Sequence, residues 1–381
     1  MDPSLTLLRD LVAIDSVNPS LVPGAKGEGV AAEAVAAHMR KLGLDVHLQE
    51  AAPGRPNVIG VLDGSSPGRS LMFCGHIDTV GVEGMRSPFD PREIDGRLYG
   101  RGSQDMKGGI AAMIDAARVA LQRGLRAGRL IVAVVVDEEY ESIGADALVR
   151  EWSADAAVVT EPTDLQIGVA HKGFAWLEVE TRGRSAHGSR PADGVDAIVR
   201  MGRVLGQLEA LDRQLQSRAP HPRLGVPSLH ASIIAGGREL SSYPDICRLQ
   251  MERRTIPGES ESTPEEEVRN CLERLRAEDA TFESIARVGF ARPPYEIPED
   301  HPVPEALARA ARATRVNAAR VGMSFWTDAA VLGAAGTPSV LFGPGGAGLH
   351  STEEYVTIAE VIACRDVLAT LAVDWCASPA A

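Results

Sequence analysis

The chain has 381 residues, 44% of them hydrophobic and 24% charged, with a formal net charge of −13. That length exceeds what one hydrophobic core comfortably serves and points to two domains, in a chain of ordinary globular composition. An acidic balance with no run of Lys or Arg argues against nucleic acid or an anionic membrane as a partner.

The N-terminal stretch MDPSLTLLRDLVAIDSVNPS reads as an amphipathic helix ending before Pro19. It lacks the basic start and long apolar core of a signal peptide, and no apolar run approaches the ~20 residues of a membrane span. A cytoplasmic location is therefore expected. From Met1 to about Ala170, strand-like and helix-like runs alternate, the pattern of an α/β domain with a mostly parallel sheet. SLMFCGH, RLIVAVVVDEE and DAAVVTEP read as short buried strands. A helix over about 106–123, closed by Gly124, lies between the first two.

The pattern changes near Lys172. KGFAWLEVETRG leads into a helix over about 192–211, and strands follow at SLHASIIAG and ICRLQMERR. TPEEEVRNCLERLRAE is a helix with Thr263 as N-cap, Pro264 at its first position and Glu266 completing a capping box. TFESIARV is a last strand. This β-α-β-β-α-β order is that of a ferredoxin-like domain. It is inserted between two halves of the α/β domain, so that residues 1–171 and 290–381 form one discontinuous domain and 172–289 the insert. After the Pro-rich ARPPYEIPEDHPVP, TPSVLFGPGG is a buried strand with a glycine-rich loop. TIAEVIACRDVLATLAVDW is a C-terminal helix capped by Thr357 and Glu360. The five cysteines are too widely spaced to suggest a disulfide framework or a thiolate metal site, and Cys74 and Cys271 read as small buried hydrophobes.

In an open α/β sheet, ligands bind beyond the carboxyl ends of the strands. The inferred strands deliver His76 and Asp78, then Asp137, Glu138 and Glu139, then Glu161. The loop after SVLFGPGG carries His350, and YGRGSQDMKGG places Asp105 just before a helix. Asp137, Glu138 and Glu139 form a knot of like charge that costs stability unless a cation or proton offsets it. Singly, His76 and His350 read as loop histidines and Asp105 as an acid favoured by a helix dipole. Gathered at one edge by independent segments, they point to a metal site. Imidazole and carboxylate without thiolate suit zinc, and also cobalt or manganese. Two close metals need a bridging carboxylate, and each then needs a carboxylate and a histidine. Asp105, His76, Glu161, Glu139 and His350 match that count, and Glu138 is left over. GPGGAG lacks the Lys and Ser/Thr of a phosphate-binding loop, and its glycines instead allow a tight path that brings His350 inward.

GHIDTV, GRGSQDMKGG, VVVDEEYESIGA, TEPT, SAHGS and GPGGAGLHSTEEYV follow one another over nearly the whole chain. In these motifs the chain resembles the zinc-dependent family of acetylornithine deacetylase, succinyl-diaminopimelate desuccinylase, aminoacylase and bacterial glutamate carboxypeptidase. The resemblance implies a mostly parallel, zinc-exopeptidase-like catalytic domain whose ferredoxin-like insert serves as lid and dimerisation domain of a homodimer. It implies two divalent metal ions per subunit, bridged by Asp105, one completed by His76 and Glu161 and the other by Glu139 and His350. Asp78 would orient His76, and Glu138 would be the general base for a metal-held water.

His187 of SAHGS would stabilise the oxyanion from the neighbouring subunit, although the residues alone describe a surface turn. Arg254 of ERRTIPGE would grip a substrate carboxylate, against the plainer reading of a solvated strand-end arginine, with Arg253 its nearest rival. Ser241 of SSYP stands where many relatives carry an Asn and would contact substrate or oxyanion. The implied activity is hydrolysis of the amide of an N-acyl amino acid or a related small molecule. A dipeptidase or glutamate-type carboxypeptidase is the second reading and a non-catalytic homologue the third. Asp137 receives no role.

Overall fold

A computed structural model describes residues 2–379. Two compact units divide the chain, the first comprising residues up to Val169, Ile297–Gly322 and those from Thr327 on, the second Ala170–Glu296 and Met323–Trp326.

The first unit is built on four parallel strands, in the order Ala127–Val135, Ser66–His76, Ala156–Val159 and Ser339–Leu341. Arg55–Asp63 and then Asp45–Ala52 continue the sheet antiparallel on one side, and Ile167–His171 pairs antiparallel on the other. Strands covered on both faces must be apolar throughout, and Leu71–Cys74, Leu130–Val136 and Ala156–Val159 are all buried. The helices Gly108–Gln122 and Ile358–Cys376 pack on one another. Gly109 passes so close to the end of Ala156–Val159 that a Cβ there would lie 2.1 Å from the Thr160 carbonyl oxygen. Only glycine permits that approach. A small antiparallel sheet, Gly346–Ala347, Tyr355–Thr357, Arg97–Tyr99 and Arg92–Ile94, sets the 100–105 loop beside the loop before Tyr355.

The second unit is an antiparallel sheet in the order Ser228–Gly236, Ile246–Thr255, Gly173–Arg182, Ser284–Arg292. Leu177, Val179, Leu249 and Met251 of the sheet pack with Met201 and Val204 of the helix Ala197–Gln216 and Val268 and Leu272 of the helix Thr263–Glu278. Numbered along the chain, the strands run 4-1-3-2, a ferredoxin-like sheet. The unit is wider than 172–289, because Tyr295–Glu296 pairs back on His171 and Ala170. Trp326 also belongs to it, donating from Nε1 to the Pro293 carbonyl at 3.1 Å.

Several element ends differ from the sequence reading, some where a side chain has a competing partner and others where the backbone itself departs from the regular form. The N-terminal helix covers only Pro3–Val12, because Ser16 Oγ bonds the Ile77 carbonyl at 2.8 Å and Asn18 Nδ2 bonds Asp78 at 2.8 Å. The helix expected over 106–123 begins at Gly108, since Asp105 and Met106 have non-helical backbone. The helix expected over 192–211 runs Ala197–Gln216, capped by Asp196 accepting from Val199 N–H at 3.0 Å, after Val195 has paired with Arg184. Thr263 is the first helical residue rather than the cap. Its Oγ1 accepts from Ser260 N–H at 3.2 Å, so no capping box forms. The strand expected at TFESIARV is Ser284–Arg292, with a bulge between Val288 and Phe290. Thr357 holds the N-cap position of the last helix without a side-chain bond, and Glu360 accepts instead from Gly345 N–H at 2.7 Å.

Arg253 is the largest fully buried side chain, paired with Glu267 at 2.9 Å and Glu259 at 2.6 Å. Removing one partner of a buried ion pair strands the others, so Arg253→Ala should destabilise the second unit by about 3–5 kcal/mol in urea unfolding. A loss below about 1 kcal/mol would contradict this account of the insert's core.

Candidate metal centre

The ends of the parallel strands set the geometry. His76 is the last residue of its strand, and Ile77 N–H still bonds the Val135 carbonyl at 3.0 Å. Asp78 is fully buried. Its carboxylate accepts from the backbone N–H of Glu138 at 3.1 Å and of Glu139 at 3.2 Å. The His76 ring meets Asp78 differently: Nδ1 lies 3.1 Å from the Asp78 carbonyl oxygen and 3.6 Å from its carboxylate. The backbone carbonyl therefore orients the imidazole and leaves Nε2 facing inward, while the carboxylate fixes the two glutamates.

His76 Nε2 faces Asp105 Oδ1 at 3.2 Å, Glu161 Oε1 at 3.7 Å and Glu138 Oε2 at 3.8 Å. His350 Nε2 faces Asp105 Oδ2 at 3.3 Å and Glu139 Oε2 at 3.1 Å. Asp105 thus turns one oxygen to each histidine. Donor atoms of His76, Asp105 and Glu139 lie within 4.8 Å of one another, as do those of His76, Glu138 and Glu161. The glycine-rich loop brings His350 in by a tight path: Gly348 has φ +93°, and a Cβ on it would lie 1.8 Å from the Glu353 carbonyl oxygen.

Burial pushes Glu138 and Glu161 well above the usual carboxylate range. The His76 charge opposes the shift, while neighbouring carboxylates, including Asp328, add to it. Burial, then repulsion from Asp105, pushes Glu139 up to about 7. Asp105 is held low, because hydrogen bonds to His350 and His76 outweigh its burial. Burial works against a charge on His76, but the Asp105 carboxylate at 3.2 Å and the nearby Asp78 carboxylate at 3.6 Å raise it well above the ordinary histidine range. Bonds to Asp105 and then Glu139 raise His350 to about 10. Glu139 Oε1 is buried with no hydrogen-bond partner. Buried carboxylates in excess of their cations, an orphaned carboxylate oxygen and two inward imidazoles are a donor set that can hold divalent metal.

The other expected site residues lie in the second unit. His187 is exposed and its Nδ1 is 2.8 Å from Ser189 Oγ. Ser241 is exposed, and its carbonyl accepts from Gly188 N–H at 2.7 Å. Arg254 is partly exposed, paired with Glu252 at 2.7 Å and lying over the Phe174 ring. Arg253, buried among carboxylates, is excluded as the arginine that meets a substrate.

The sequence reading missed the supports. Asp137, to which it assigned nothing, is buried and pairs with Arg55 at 2.7 Å and Asn18 at 3.1 Å. Glu354 accepts from three backbone N–H groups of the Asp105 loop and from Arg101. The acid in HSTEEYV was a visible signal for Glu354, whereas nothing local marks Asn18 or Arg55.

A parallel α/β sheet whose strand ends present histidines and carboxylates around a shared aspartate defines an α/β metallohydrolase. The chain belongs to peptidase family M20/M25/M40, whose family model matches residues 72–374, and it is a hydrolase acting on amide bonds. It is similar to an acetylornithine deacetylase of Myxococcus xanthus, at 34% identity over 97% of this chain and 96% of the relative. Its fold is similar to that of an aminopeptidase of Bacillus cereus ATCC 10987, with a TM-score of 0.80 and 19% identity over 98% of each chain. It also matches a dinuclear metal-binding peptidase of the M20 family from Bacillus subtilis, with a TM-score of 0.74 and 16% identity over 98% of this chain and 97% of that one. No helix among the described residues is long and apolar enough to cross a membrane.

Glu139, at about 7, and His350, at about 10, hold their protons more tightly in the folded metal-free protein than a free glutamate at 4.5 and a free histidine at 6.5. Stability from those protons is lost as pH rises through the folded values, while divalent metal needs the same ligands deprotonated. The metal-free protein should therefore melt at lower temperature as pH rises from about 5 to 9, and the increase on adding zinc should grow over that range. Thermal melts with chelator and with zinc check this, and a pH-independent zinc increment would contradict it.

Proposed function

We propose that this protein is a deacylase that hydrolyses the amide of an N-acyl amino acid or a related small molecule. It would work at two divalent metal ions shared by Asp105, with zinc expected and cobalt or manganese as alternatives. The observation that carries the reading is the splitting of Glu138 from Glu139. Asp78 holds both backbone N–H groups, yet Glu139 turns to His350 at 3.1 Å while Glu138 turns toward His76 at 3.8 Å. In this reading Glu139 joins the ligand set with His350, and Glu138, whose carboxylate lies beside His76 and Glu161, carries the proton. Similarity to the Myxococcus xanthus acetylornithine deacetylase supports the substrate class.

In this reading His76 with Glu161 would hold one ion and Glu139 with His350 the other. The ions, when bound, acidify the attacking water and polarise the scissile carbonyl. Glu138, made a stronger base by burial, takes a proton from the water as its oxygen bonds to the carbonyl carbon. As the carbon–nitrogen bond breaks, Glu138 delivers that proton to the amine, regenerating its carboxylate. Asp78 keeps His76 and both glutamates in place throughout.

His187 would donate a hydrogen bond to the oxyanion, and Arg254 would pair with the substrate carboxylate. Ser241 would offer a shorter polar contact than an amide. A homodimer through the insert is part of the proposal. It is supported by the edge strand Ser228–Gly236, whose outer side has no strand partner among the described residues and where Ile233 is 61% and Ile234 52% exposed.

Glu138→Gln should keep its zinc and lose turnover by about 10²–10⁴-fold. Released amine is read over a panel of N-acyl amino acids and dipeptides. A full rate in this variant would remove Glu138 as the base, and preferential cleavage of dipeptides would make the protein a peptidase instead. If His187 serves the neighbouring subunit, inactive His187→Ala and Glu138→Gln dimers should regain activity when mixed and allowed to exchange. No recovery despite demonstrated exchange would place His187 in its own subunit's site or outside the chemistry. Arg254→Met should raise KM far more than it lowers kcat, the signature of lost uniform binding. An unchanged KM would return Arg254 to a structural role.

A further inference from the structure

The proposed metal centre joins two segments that no main-sheet ladder holds together. Asp105 lies in an irregular stretch, with Gly102 at φ +77° before it and Met106 at φ −130°, ψ 35° after it. His350 lies in a loop at φ +57°. Backbone of this kind has N–H groups without ladder partners, and each must find one.

Glu354 supplies them. Its Oε2 accepts from Arg101 Nη1 at 2.7 Å and Gly102 N–H at 3.0 Å. Its Oε1 accepts from Gln104 N–H at 2.9 Å and Asp105 N–H at 3.2 Å. The connection runs back as well, for Arg101 Nη2 donates to the Ser351 carbonyl at 2.9 Å and Gly100 N–H to the Glu354 carbonyl at 3.2 Å. Glu354 has no side-chain exposure and Arg101 has 3%. Burying an ion pair is costly unless its hydrogen bonds are satisfied; here four donors serve the two Glu354 oxygens, while of Arg101 only Nε is left without a partner. The adjacent Tyr99 and Tyr355 are paired in the small sheet, so the clamp closes directly on a strand pair.

We propose that Glu354 is a positioning residue that sets Asp105 against His350, so that one carboxylate couples the two loops that carry the proposed metal ligands. The inference rests on the metallohydrolase reading of the site. The bond that matters most is the one to Asp105 N–H, because Asp105 is the residue that turns an oxygen to each histidine. Glu354 itself spends both oxygens on these four donors and is not one of the proposed ligands. Its neighbour Glu353 is exposed and supplies a control from the same loop.

The test is calorimetric titration of metal-free protein with zinc, together with visible spectra of the cobalt(II) form. Wild type and Glu353→Ala should bind zinc alike. Glu354→Gln, which turns one acceptor into a donor, and Glu354→Ala should bind zinc roughly 10- to 100-fold more weakly and show an altered cobalt spectrum. In both variants kcat should fall by a larger factor than KM rises. A merely structural Glu354 would lower the melting temperature and leave the folded variants' zinc affinity and cobalt spectrum as in wild type, and that result overturns the proposal. If Glu354→Ala does not fold, Glu354→Gln and Arg101→Lys carry the same comparison, the latter keeping its charge but losing the forked contact to Ser351. Wild-type protein that binds no zinc or cobalt would overturn the metal reading itself, and this inference with it.

Discussion

Six ionisable side chains from five segments, His76, Asp105, Glu138, Glu139, Glu161 and His350, meet at the carboxyl ends of the parallel strands. Four of them are carboxylates, buried where water screens them poorly. Their mutual repulsion is the constraint that the rest of the first unit answers. In the metal-free chain burial raises the pKa of Glu138, Glu139 and Glu161, and the acids around them raise those of both histidines, so each group holds its proton more tightly than it would in water. A pair of divalent cations would relieve the same repulsion with charge, which is why the site's electrostatics and its chemistry are one subject.

The surroundings divide that task by distance from the centre. Asp78 places both glutamates through their backbone and His76 through its own carbonyl. Behind it, Asn18 spans Asp78 and Asp137, and Arg55 reaches Asp137 and Glu28, so the ends of two neighbouring strands are tied by one polar chain. On the opposite side Glu354 and Arg101 hold the Asp105 loop. Asp137 therefore belongs with the supports rather than the ligands, although it sits beside Glu138 in the chain. Its φ of +68° turns it away from the strand direction that would continue toward the centre.

Much of this was legible from residue order. Apolar runs ending in His76, Glu138–Glu139 and Glu161 are the signature of buried parallel strands, and such strands have their open ends at one edge. The ferredoxin-like order of the insert was equally readable, since its strands alternate and its helices are amphipathic. Element ends were read less well, in several cases for one reason. Ser16 bonds the distant Ile77 carbonyl and Asn18 the Asp78 carboxylate, which ends the first helix early, while Thr263 and Glu360 bond non-helical backbone instead of forming the caps their spacing suggested. Local pattern is a statement about what a segment would do alone, and polar side chains near a site are seldom alone.

The amino-acid sequence by itself determined the kinds of ligand available, their placement after strands and in glycine-rich loops, and the presence of one acid more than a two-metal count requires. Hydrophobic periodicity and side-chain chemistry are local properties, so they survive without coordinates. Only the tertiary structure decided that Asp105 offers an oxygen to each histidine, that a carbonyl rather than a carboxylate orients His76, and that Arg253 is sealed in the core while Arg254 is not. Only it gave Asp137, Arg55, Asn18 and Glu354 their places. Those facts depend on distances between residues as far apart as Arg101 and Glu354, and on burial that converts a hydrogen bond from incidental to necessary.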